Sequence, residues 1–156
     1  MTSDLRHLHD RDFVQWAQGQ ARALRDGRFK DLDREILANE LERMVSRERA
    51  EVNQRLEALT VQLLLWSVQP AARTAEFQAA ILAQRGSVDR VLEFSPSLRP
   101  AIESALPRTY ASALDTVEQA GIPRNVFPLA PVFSLDELLD RAFWPASLFG
   151  GRAFSF

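Results

Sequence analysis

The chain has 156 residues, 46% of them apolar, a net charge of −2 and no cysteine. That length and apolar share fit one domain with a real core, and the slight acidity argues against a general nucleic-acid binder, which carries a basic excess. Without cysteine there is no disulfide, no thiolate nucleophile and no cysteine-based zinc site.

Residues 1–11 read as a polar arm that carries both histidines, His7 and His9, beside Asp10. No third histidine exists to complete a metal site there, so a solvated arm is expected. The arm lacks the apolar core of a signal peptide and no later segment is long enough to cross a bilayer. A cytoplasmic location, with no membrane and no nucleic acid among its partners, is the expectation. A first helix is expected from Asp12 to Arg25, with Phe13, Trp16, Ala17 and Leu24 on one side, Asp10 or Asp12 as cap and Gly27 as the left-handed stop. The short connection Arg28–Leu32 makes the next helix its antiparallel neighbour. Lysine and arginine together number 19, and Lys30 in this connection is the sole lysine.

The stretch from Asp33 to Trp66 holds no Gly and no Pro. Leu37, Leu41, Met44/Val45, Val52, Leu56, Leu59, Leu63 and Trp66 recur at helical steps, which predicts one long central helix opened by Asp33. From Leu59 onward apolar residues point in every direction, so that end should be buried all round. Glu48 and Arg55 fall near the middle of the stripe, where charges need partners. Gln69-Pro70 stops the helix.

A third helix is expected from Arg73 to Phe94, with Phe77, Ala80, Ile81, Val88, Val91 and Leu92 inward, Gln84 mid-stripe and Gly86 outward. If it folds back from Pro70, Arg55 faces Gln84 and Arg85. The expectation is a polar layer of Glu48, Glu51, Arg55, Gln62, Gln84 and Arg85, fixing helix register or lining a pocket. A fourth helix should run from Ser97 to Ala120 with a kink or break at Pro107. Residues 122–133 read as an extended crossing anchored by Phe127 and Phe133. Ser134 to Glu137 is a capping-box pattern opening a short fifth helix, pinned by Phe143-Trp144-Pro145. The helical domain is thus 12–145, followed by a Phe/Gly tail, 146–156. The fold class expected is all-α, a single-domain bundle of about five helices on one long central helix.

Taken together, these residues resemble a bacterial family known only as a domain of unknown function, number 29. The resemblance rests on Asp12-Phe13 with Trp16, Leu24-Arg25 with Gly27, Asn39 to Glu42, Leu63-Leu64 with Trp66, Gln69-Pro70, Gln84-Arg85, Ser95 to Arg99, Phe127-Pro128, Leu138 to Asp140 and Phe143 to Pro145. It implies an all-helical fold and no assigned activity. Gln62 stands where the family commonly has histidine, Leu65 where lysine, Phe77 where tryptophan and Ala130 where cysteine, so chemistry resting on that histidine or cysteine would be missing.

The chain has no Gly-rich phosphate loop, no Glu-x-x-His pair and no nucleophilic Ser motif. Glu40 and Glu42, two apart on a helix, face away from each other. Arg43 and Arg47 have acidic neighbours that neutralise them as a nucleic-acid contact. No catalytic residue, cofactor or metal is therefore assigned, and the reading favours a protein-interaction or regulatory module without catalytic activity. Its candidate partner surface is Phe143, Trp144, Phe149, Phe154 and Phe156, with the partner unidentified and a homodimer left open. The alternative is a small-ligand-binding protein or enzyme using the Glu/Arg cluster.

Overall fold

The computed structural model describes residues 8–146. The chain is all-α, with no strand among the described residues. It divides into two compact units, Met1–Glu48 and Arg49–Phe156.

In the first unit, helix α1 spans Phe13–Arg25 and is capped by Asp12, whose carboxylate accepts the Gln15 N–H at 2.9 Å. Gly27, at φ 69°, ends it in the left-handed conformation that only glycine adopts freely. Trp16, Gln20 and Ala23 are its buried positions, while Phe13 and Leu24, expected inward, are about half exposed. The inner line therefore lies about one residue from the one that apolarity marks, because a glutamine takes the middle place. Gln20 accepts the Asp33 N–H at 2.8 Å, and the Trp16 indole donates to the Asp33 carboxylate at 3.0 Å. Asp33 thus stands at the entrance of helix α2, Arg34–Val68, with its side chain turned to the indole.

Helix α2 has 35 residues and is about 50 Å long. In the second unit it buries Val52, Leu56, Leu59, Thr60, Leu63, Leu64 and Ser67. Pro70 breaks it through a 3-10 turn, and Thr74 caps helix α3, Ala75–Phe94. Across that turn Trp66 stacks on Phe77 at 6.3 Å between ring centroids, and Arg73 donates to the Trp66 carbonyl at 2.8 Å. After Ser95-Pro96 comes helix α4, Arg99–Gln119, which continues through Pro107, so the break that was one of the two outcomes expected there does not occur. The segment after Gly121 is held by buried Phe127 and Phe133 and by the Tyr110 hydroxyl, which donates to the Pro128 carbonyl at 2.8 Å. Helix α5, Leu135–Leu139, opens with the full capping box of Ser134 and Glu137.

Candidate functional site

Along α3 the buried positions are Ile81, Arg85, Val88 and Leu92, a run of four-, three- and four-residue steps with an arginine inside it. Arg85 is 0% exposed. Its Nε donates to the Leu138 carbonyl at 2.8 Å and its Nη2 to the Phe143 carbonyl at 2.7 Å. The guanidinium lies 5.1 Å from the Trp144 ring centroid, a cation–π geometry. Nη1 is buried without a partner among the described residues. Burial pulls the Arg85 pKa down, and the nearby Asp140 and Asp89 carboxylates oppose that pull. Burial likewise pushes the Asp89 carboxyl up, against the attraction of Arg141. Gly86, expected on an outer face, makes room for this group: a Cβ there would meet Arg141 Nη2 at 3.1 Å. The arrangement clamps the segment after α5 onto α3.

The expected polar layer is not centred where the sequence placed it. Glu48 is exposed and has no hydrogen-bond partner among the described residues. Arg55 is half-buried and pairs with Glu51 on its own helix at 2.6 Å. It stands about 100° from the centre of the arc that α2 buries in this unit, at an edge where a long side chain reaches water. Gln84 is half-buried, and the buried Gln62 Oε1 has no donor among the described residues. One residue of rotation on α3 separates the expected centre, Gln84, from the observed one, Arg85. Phe143 and Trp144, expected on a partner surface, are half-buried against the core: Trp144 lies 4.6 Å from Trp66 and Phe143 lies 5.8 Å from Phe133. Phe149, Phe154, Phe156 and His7 lie outside the described residues.

His9, expected on a solvated arm, sits in a helical turn over residues 8–11 and packs edge-on against Trp16 at 4.8 Å. Its ring nitrogens reach Asp10 at 3.0 Å and Glu40 at 3.1 Å. The bond to Asp10, helped by Glu40, holds His9 above its ordinary pKa of 6.5 against the pull of burial. Burial pushes Glu40 up, but the bonds from His9 and Arg43 outweigh it, and the carboxyl sits below its ordinary 4.5. Among the described residues no three His, Asp or Glu side chains gather as metal ligands.

A cavity of about 10 Å³ lined by Thr60, Leu106, Tyr110, Pro131, Phe133 and Leu138 has room for one water at most. An open hollow of about 430 Å³ is formed by the single turn Gly27–Asp31.

The sequence stripe of α2 has a second consequence in the first unit. Leu41, Met44 and Val45 lie on one face of the helix yet are 62%, 57% and 58% exposed. The periodicity marked them as inward, and nothing in their spacing says whether a neighbour covers them. They form an apolar row open to water on α2.

The described residues thus form an all-helical protein with a buried arginine clamp in the second unit and a bare apolar row on its longest helix in the first. The family model "Domain of unknown function DUF29" matches residues 8–144, and the chain belongs to that family. No curated protein and no solved structure matches it. No helix among the described residues is long and apolar enough to cross a membrane.

Proposed function

We propose that the chain is a cytoplasmic protein-interaction module without catalytic chemistry, and that its working surface is the bare row of α2 in the first unit. The occupant is an amphipathic helix laid along the row, which offers anchors at i, i+3 and i+4 spacing. One observation carries the reading: Leu41, Met44 and Val45 are each more than half exposed in a line on one helix. The other faces of the same turns carry Glu42, Arg43, Ser46 and Arg47, as a solvated helix does. Large apolar side chains set side by side in water mark a contact surface. Acidic and basic residues around the row give a partner polar contacts that select orientation.

The test is a photoreactive residue placed at Met44 in the native host. The reading expects cross-links that map to an amphipathic helix and disappear when the probe is moved to Ser46, on the opposite side of α2. They should also disappear in Leu41→Glu/Val45→Glu. Equal cross-linking from both positions, or none from Met44, would sink the proposal.

A further inference from the structure

Glu48 lies on the line of the apolar row, and so does Arg34. Arg34, Leu41 and Glu48 are seven residues apart, two helical turns each, so they fall along one line of α2, with Leu41 midway. Arg34 and Glu48 are both exposed, and neither has a hydrogen bond or ion pair among the described residues. A charge at each end of an otherwise apolar row is a poor match for a uniformly apolar partner helix. It is a good match for the same row running the other way.

We infer that the occupant of this face is a second copy of the chain, with the two α2 segments antiparallel and Leu41 against Leu41 on the two-fold axis. The inference rests on the proposed function and names its partner. In this register Arg34 of each copy faces Glu48 of the other, so both end charges are paired by one symmetry operation. Leu37 faces Val45 and Ala38 faces Met44, so apolar meets apolar along the whole row. A parallel arrangement sets Arg34 against Arg34 and Glu48 against Glu48, which repels at both ends. Glu42 comes to lie on the flank beside its own mate, a like-charge contact that solvent and salt screen. About four turns of helix form a contact at the low end of the size range for specific interfaces, so the pairing is reversible and concentration-dependent.

Sedimentation equilibrium of the full chain tests this directly. Wild type is expected to show a monomer–dimer equilibrium. Arg34→Glu alone and Glu48→Arg alone each turn two attractions into two repulsions and should weaken dimerisation by roughly tenfold or more at low salt. The double variant Arg34→Glu/Glu48→Arg should restore it, with circular dichroism confirming that every variant is folded. Because the chain has no cysteine, an oxidised mixture of Arg34→Cys and Glu48→Cys chains should enrich the 34–48 cross-link over 34–34 and 48–48. A wild type that stays monomeric, a dimer indifferent to both charge changes, or preferential 34–34 linkage overturns the self-pairing. A monomer whose Met44 probe still captures the helix of another protein overturns the self-pairing alone and leaves the proposed function standing. A monomer with no Met44 cross-link sinks both.

Discussion

A guanidinium shielded from water is tolerated only where its N–H groups find acceptors, and Arg85 finds the carbonyls of Leu138 and Phe143. Arg85→Ala strands both carbonyls and leaves a cavity, so it should cost about 3–5 kcal/mol in urea unfolding. Arg85→Lys should recover only part of that loss, because an ammonium lacks the planar fork that spans the two carbonyls. An alanine variant within about 1 kcal/mol of wild type would contradict the clamp. His9 and Glu40 make a second claim, this time about pH. His9 is raised above 6.5, so its contribution is complete below that value and is lost as pH rises through the raised pKa. Glu40 is lowered below 4.5, so its contribution is present above that value and is lost as pH falls through the lowered pKa. The pair should stabilise the first unit most between pH 4.5 and 6.5. The urea midpoint of wild type should decline above that window, and His9→Gln should flatten the decline. An identical pH profile for the variant would show that the contact contributes nothing.

Most helix ends follow from a local signal that the sequence displays, whereas the Asp33 carboxylate at the start of α2 is taken by the Trp16 indole. Asp12, Gly27, Pro70, Thr74, the Ser95-Pro96 pair and Gly121 all stand where a helix starts or stops. The Ser134–Glu137 box is complete in both directions, and Ser134→Ala should cost about 1 kcal/mol by removing the Glu137 N–H acceptor. Thermal unfolding of that variant checks it; an unchanged midpoint would mean that α5 is held by burial of Leu135, Leu138 and Leu139 alone. The inner faces were less legible. Apolar residues locate a stripe to within about one position, and one position is about 100° of rotation. That is why Gln84 was expected where Arg85 lies, and why Gln20 was not expected inward at all. Both misses have one cause: a polar side chain that finds hydrogen-bond partners inside leaves no mark in an apolar pattern. Leu41, Met44 and Val45 show the opposite limit, since a periodic apolar face looks the same whether it is covered or bare.

At the scale of the molecule, the buried clamp and the bare row answer different needs. The clamp completes the second unit by fastening the segment after α5 to α3, whereas the row adds nothing to the first unit's own core. Solvent-facing apolar side chains replaced by charge should leave stability nearly untouched, and core side chains so replaced should not. The most direct measurement is therefore the urea unfolding free energy of Leu41→Glu/Val45→Glu, taken at a protein concentration low enough that association does not contribute. The account predicts a value within about 1 kcal/mol of wild type, together with loss of the Met44 cross-link. A loss of several kcal/mol, on the scale of a charge forced into a packed interior, would show that the row belongs to the core and would contradict its role as the binding face.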